Sequence, residues 1–225
     1  MKLAILAITA LTVTMANTAL ATPYPHHNPK KILVRKTSAT GSNISVDIHY
    51  LDSILSDLAI HARSYPPQFD NDEDRIKAIR DVRSLDYMLS VIDQTQPGDA
   101  EMLLRHARIN SMGYNLDVSG SGNKAEQLFQ TVLNKAPDNP QVNYYYGLFL
   151  ASAGKADKAI PLLHKAANGK LYDAYYNLGL VYLSLNNTEQ ALSYLQKYQQ
   201  LTPHHADTRK IIETIQSGQS NLQHN

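Results

Sequence analysis

The chain has 225 residues, of which 43% are hydrophobic and 18% charged, with 14 Tyr, 3 Phe, no Trp and no Cys. Such a composition belongs to a folded chain rather than a disordered tail or multispan membrane protein, and it excludes disulfides, thiolate metal sites and a cysteine nucleophile. The formal charge is only +1, from 21 Lys and Arg against 20 Asp and Glu, so no broad basic surface argues for a nucleic-acid partner.

Residues 1–21 place Lys2 before an apolar run from Leu3 to Met15 and end in Ala19-Leu20-Ala21. This is the charged start, hydrophobic middle and small-residue cleavage site of a secretory signal peptide. The apolar run is shorter than the roughly 20 residues a spanning helix needs, so cleavage after Ala21 is expected rather than retention as an anchor. No later stretch predicts stable membrane insertion. Small secreted eukaryotic domains commonly rely on disulfides, so a chain without cysteine fits export into a bacterial envelope better. A lipoprotein tether needs a cysteine that this sequence lacks. The expected location is therefore periplasmic or secreted.

Residues 22–44 carry Pro23, Pro25 and Pro29, then Thr37-Ser38-Ala39-Thr40-Gly41-Ser42-Asn43, and predict a flexible leader. Within it, Lys30-Lys31-Ile32-Leu33-Val34-Arg35-Lys36 is also open to reading as a short strand or as a basic apolar peptide that docks on a membrane or on the protein itself. Residues 45–98 predict two helices. The first buries Leu51, Ile54, Leu55, Leu58 and Ala62 and stops at Pro66-Pro67. The second starts near Asp72, buries Ile76, Ile79, Val82, Leu85, Met88, Leu89 and Ile92, and ends before Pro97-Gly98. Asp70, Asp72, Glu73 and Asp74 lack the glycine and distal glutamate of a calcium loop and suit the positive end of that helix.

Residues 99–203 repeat. Gly113 and Gly147, Ala125 and Ala159, and Gly120 and Gly154 are each 34 apart, while Gly179 and Ala191 follow 32 later. A two-residue deletion near Asn168-Gly169-Lys170 accounts for the shorter third interval. The third copy reads Tyr175, Leu178, Gly179, Tyr182, Ala191, Leu195, Pro203. In the first stand Ile109, Met112, Gly113, Leu116, Ala125, Phe129, Pro137. The second has Tyr146, Gly147, Leu150, Ala159 and Leu163, without a closing proline. Each copy resembles the tetratricopeptide repeat, a 34-residue helical hairpin. Residues 204–225 predict a capping helix from Ala206 to Gln216, with Ile211, Ile212 and Ile215 on one side, and a tail. The segment Tyr65-Pro66-Pro67-Gln68-Phe69 followed by Asp74-Arg75 resembles small exported bacterial proteins of this repeat family that have no assigned role.

The fold so implied is all-α: a right-handed solenoid of αα-hairpins, preceded by a divergent helical pair and closed by a capping helix. Family resemblance also implies a concave groove lined by the first helix of each repeat, holding an extended peptide or a helix. Its expected lining is Asn110, Tyr144 and Tyr176 in one row, Tyr114, Leu148 and Leu180 in a second, with Leu183 nearby. Because the three successive tyrosines Tyr144, Tyr145 and Tyr146 point in different directions, at least one must be core. From Gln141 to Ser152 there is no charged residue, and from Tyr172 to Ser184 only Asp173, which favours an apolar or tyrosine-compatible peptide over an acidic one.

Enzyme signals are sparse. The nine His show no metal spacing, although His26-His27 and His204-His205 are adjacent, and Ser119-Gly120-Ser121-Gly122 is followed by Asn123 where a phosphate loop requires Lys. The expectation is a non-catalytic protein-interaction scaffold or assembly adaptor of the bacterial envelope, without cofactor or metal, whose partner is an envelope protein or peptide. Two alternatives belong to other classes: a small enzyme or metal-binding protein with its site in the N-terminal helical pair, and a module that self-associates through its repeat ends.

Overall fold

A computed structural model describes residues 22–38, 41–95 and 99–223; the signal peptide expected at 1–21 lies outside these residues. Backbone contacts divide the described chain into two units, residues 22–135 and 136–223. No helix among the described residues is long and apolar enough to cross a membrane.

The first unit opens with a 3₁₀ turn, Pro29–Ile32, and a two-stranded antiparallel ribbon, β1 (Leu33–Ser38) and β2 (Gly41–Val46), in which Arg35 lies opposite Ile44. Helices α1 (Ile48–Ala62), α2 (Asp72–Thr95), α3 (Ala100–Asn115) and α4 (Ser121–Lys135) follow. Where the composition predicts a flexible leader, the chain is seated on α1 and α2, with Tyr24 and Ile32 inside the core. Tyr24 explains the difference: burying one aromatic ring outweighs much of the cost of ordering the prolines around it, and its hydroxyl is satisfied within the protein. The strand reading of Leu33 to Lys36, not the solvated linker, matches the structure.

Helix α1 buries the predicted stripe of Leu51, Ile54, Leu55, Leu58 and Ala62 completely. At the start of α2 the stripe is displaced. Ile76 is exposed and Ile79 partly so, whereas Asp74, Ala78 and Asp81 are buried alongside Val82, Leu85 and Leu89. The polar residues belong inside because the leader's Tyr24 approaches that face. The cap of α2 is Asn71, whose side-chain oxygen accepts from the Asp74 amide at 2.8 Å. Helix α3 is the hub of this unit, packing against α1, α2 and α4.

The second unit contains α5 (Pro140–Ser152), α6 (Ala156–Asn168), α7 (Asp173–Ser184), α8 (Thr188–Leu201) and α9 (Ala206–Gln223). Each helix packs against the next, and α5 also touches α7. Helix α9 runs to Gln223, longer than the periodicity of its isoleucines indicates, and buries Thr208 and Ile212.

The repeat signature is the packing code. A Cβ on Gly147 would lie 2.9 Å from the Leu163 side chain, one on Gly179 2.6 Å from Leu195, and one on Gly113 2.6 Å from Ser121. These glycines let the two helices of each hairpin approach, and the facing residues Ala125, Ala159 and Ala191 are fully buried. The hairpin turn of the second copy closes through Gly154 at φ +74°, with the Lys155 amide donating to the Leu150 carbonyl. In the third copy Asn186 adopts φ +57° at the equivalent place, with the Asn187 amide donating to the Tyr182 carbonyl. Asparagine is the residue other than glycine that best tolerates this left-handed cap.

Candidate functional site

Helix α5 is buried over most of its circumference because α6 and α7 both pack on it. Beyond its first residue, Pro140, its accessible positions are Gln141, Tyr145 and Leu148, one stripe at helical spacing. On α7 the accessible stripe comprises Asp173, Tyr176, Asn177, Leu180 and Leu183. The sequence expectation therefore divides. Leu148, Leu180, Leu183 and Tyr176 are partly exposed in the second unit, and Tyr114 is partly exposed in the first. Tyr144 and Asn110 are not surface residues, at 6% and 1% exposure.

Both exceptions stand three residues before the repeat glycine, and in these two copies that position points towards a neighbouring helix, whereas Tyr176 of the third copy is partly exposed. The Tyr144 hydroxyl accepts a hydrogen bond from Asn177 Nδ2 of α7 at 3.2 Å. Tyr176 at the same position is tilted against Tyr198 and His205 at centroid separations of 5.5 and 5.2 Å. The outward row lies two residues before the glycine: Tyr145 in the second copy and Asn177 in the third, with Ser111 in the first. The sequence expectation omits Tyr145, although three consecutive tyrosines must divide between core and surface.

The second-unit face is uncharged apart from Asp173, whose carboxylate accepts from the Tyr198 hydroxyl at 3.2 Å. A row of tyrosines lies elsewhere on this unit: Tyr182 stacks on Tyr194 at 5.4 Å, Tyr194 stacks on Tyr175, and Lys197 sits 4.3 Å over the Tyr175 ring. Of the adjacent pair His204-His205, His205 accepts from the Thr208 amide through Nδ1 at the start of α9.

The first unit concentrates charge instead. Buried His106 of α3 meets Asp93 through Nδ1 at 2.5 Å and Asp86 through Nε2 at 2.8 Å, both on α2. Asp86 also accepts from Asn110 Nδ2 at 2.7 Å and pairs with Lys124 of α4 at 2.7 Å. Burial opposes charge on this imidazole, yet hydrogen bonds to the two carboxylates raise its pKa above the ordinary histidine value. Burial likewise opposes the Asp86 charge, and hydrogen bonds from His106, Lys124 and Asn110 hold its carboxyl well below the usual range. An imidazolium bonded at both nitrogens has no lone pair for a metal or for general-base chemistry. A cavity of about 260 Å³ beside the network is lined by Val82, Arg83, Asp86, Asn110, Ser121 and Lys124. The Lys124 ammonium pairs with the Asp86 carboxylate there, and Arg83 adds a second cation to the lining.

A second polar cluster seats the leader. The Tyr24 hydroxyl donates to Asp81 at 3.1 Å, its amide donates to Asp74 at 3.1 Å, and His27 Nε2 lies 3.0 Å from Asp57. Burial raises the Asp81 pKa even though Tyr24 and Arg80 favour its charge. The acids expected at the positive end of α2 are thus divided: Asp74 binds the leader and Lys77, while Asp70, Asp72 and Glu73 remain on the surface. Among the described residues no three His, Asp or Glu side chains form a group able to hold a metal ion.

Family models described as tetratricopeptide repeat match residues 112–172 and 172–205. Among solved structures, MamA aligns with a TM-score of 0.55 at 19% identity, over 68% of this chain and 87% of MamA. The thermophilic TPR protein TTC0263 of Thermus thermophilus aligns at 0.53 and 17% identity, over 75% of this chain and 91% of its own. PilF of Pseudomonas aeruginosa aligns at 0.56 and 19% identity, over 67% and 71%. At these identities the likeness is one of fold. No curated protein matches the chain.

Proposed function

This chain is a tetratricopeptide-repeat protein, and we propose that it is a non-catalytic scaffold of the bacterial envelope whose second unit holds a peptide or helix of an envelope protein. Repeats of this kind support protein–protein interaction in general. The observation that carries the finer reading is the accessible stripe of α5 and α7: Tyr145, Leu148, Tyr176, Leu180 and Leu183 are partly exposed, and no Lys, Arg or Glu stands on these two helices. A surface of this chemistry gains by covering apolar and aromatic area and offers no cation to fix an acidic ligand. Export rests on residues 1–21, and the absence of cysteine favours a bacterial envelope without a lipoprotein tether.

The test is photocrosslinking from positions 145, 148 and 180 in cells making the full chain, with position 197 of α8 as the control. A single captured envelope protein at the three face positions, absent at 197 and lost in Leu180→Glu, is the expected result. Equal capture at 197 would remove the face from consideration. Mass measurement of the exported protein should place its first residue at Thr22; an intact Met1 would mean that residues 1–21 are retained as an anchor, and recovery of the chain only from the cytoplasm would end the envelope assignment.

A further inference from the structure

We infer that the β1–β2 ribbon and the turn before it form a docking surface for an anionic lipid bilayer. Residues 22–46 contain Lys30, Lys31, Arg35 and Lys36 and not one Asp or Glu. From residue 47 to 135 the same unit carries 14 acidic against 9 Lys and Arg residues, so residues 22–46 are net positive while the rest of the unit is net negative. Lys30, Lys31 and Arg35 are exposed and make no ion pair among the described residues. The acids of this unit that could answer them are engaged elsewhere: Asp47 caps α1, Asp52 holds Arg105, and Asp57 faces His27.

Apolar side chains accompany the cations. Leu33 and Val34 are 38% exposed and Ile44 is 57% exposed, whereas Val46 at the base of β2 packs on the core. Strand alternation and the register put Leu33, Arg35 and Ile44 on one face of the ribbon and Val34 on the other. A folded protein groove covers one face of a ribbon. The bilayer interface accommodates both, because apolar side chains enter the acyl boundary while Lys and Arg stems extend towards the headgroups. No Tyr, Trp or Phe stands on the ribbon to stack on nucleobases, and Tyr24 is buried. Ile32 and Tyr24 anchor the segment to the helices, so the surface is presented by a packed base rather than by a free tail.

The experiment is flotation of the full chain with phosphatidylcholine vesicles, alone or doped with phosphatidylglycerol. Residues 1–21 are common to every variant, so differences between variants report the ribbon. The unaltered chain should prefer the doped vesicles, and the preference should fall as salt rises. Each cation near an anionic surface is worth about fivefold in partitioning, so K30Q/K31Q/R35Q should weaken the preference about 100-fold. L33S/V34S/I44S should reduce binding while leaving its salt dependence. All six positions are on the surface, so both variants should keep the thermal unfolding of the parent. Equal binding to both vesicle types, or an unchanged preference in K30Q/K31Q/R35Q, would overturn the inference. So would capture of polyglutamate without capture of either vesicle, which points to an acidic protein instead.

Discussion

The two units solve the same packing problem with different materials. In residues 136–223 the hairpins interlock by shape: a glycine meets a leucine, an alanine fills the hairpin seam, and tyrosines occupy the space around them. In residues 22–135, α3 has to hold α1, α2 and α4 at once, and charge takes over part of the work through His106, Asp86, Asp93 and Lys124. Shape-packed helices tolerate pH change and are sensitive to volume. Charge-clamped helices tolerate volume change less predictably and respond to protons.

The largest expected effect tests that contrast directly. His106→Ala removes the cation between two carboxylates and opens a void at a residue only 1% exposed, so it should destabilise the first unit by about 3 kcal/mol. Hydrogen exchange would read the loss in α2 to α4, with α5 to α8 unchanged. The same clamp sets a pH window. The folded-state pKa of His106 is raised, so its contribution is complete below the unfolded value of about 6.5 and is lost as pH rises through the folded one. Asp86 is lowered, so its contribution is present above about 4 and is lost only as pH falls through its depressed value. Protection of α2 to α4 should therefore be greater near pH ~5.5 than near pH ~8.5, and His106→Ala should abolish the difference. Equal protection at both pH values in the parent chain would show that the clamp contributes little.

What the sequence discloses follows the same division. The shape code repeats locally, so Gly147, Ala159 and Leu163 can be placed from one chain, and the buried stripe of α1 from its spacing alone. The charge clamp joins Asp86, Asp93, His106 and Lys124 from three helices, and no short motif encodes such a meeting. A signal is available only for the leader's seat: Asp74 and Asp81 are seven residues apart on the buried side of α2, where uncompensated acids are costly and so imply partners, which Tyr24 supplies. The leader departs from expectation because its proline content speaks louder than Tyr24 and Ile32, two residues whose burial decides its fate. On the candidate face the second row is legible through the repeat, whereas the first row is displaced by one helical position. A rotation of about 100° per residue separates Tyr144, bonded to α7, from Tyr145, facing outward.

A volume change should affect the second unit more selectively. Gly147→Leu places a side chain where even a Cβ would lie 2.9 Å from Leu163, and should cost about 1–3 kcal/mol. Gly218 of α9, beside which a Cβ meets nothing within 4 Å, is the control: Gly218→Ala should raise stability by up to about 1 kcal/mol through helix propensity. Chemical denaturation of both variants checks the register. Unchanged stability in Gly147→Leu would mean that the hairpin seam is loosely packed, and the contrast with the first unit would disappear.

The smallest effect separates packing from recognition within a single helix. Tyr144→Phe removes the hydroxyl that accepts from Asn177, while Asn177 keeps its bond to the Asp173 carbonyl. The expected loss is about 1 kcal/mol, with partner capture at positions 148 and 180 unaffected. Tyr145→Ala should behave oppositely, weakening capture while changing stability less, because its ring is partly exposed on the accessible stripe. The Tyr144 and Tyr145 rings touch edge to face at 5.2 Å, so each variant perturbs its neighbour slightly, and the double variant measures that coupling. If Tyr144→Phe lost capture and Tyr145→Ala kept it, the inward and outward rows would have to be exchanged, and the proposed face of the second unit would fail with them.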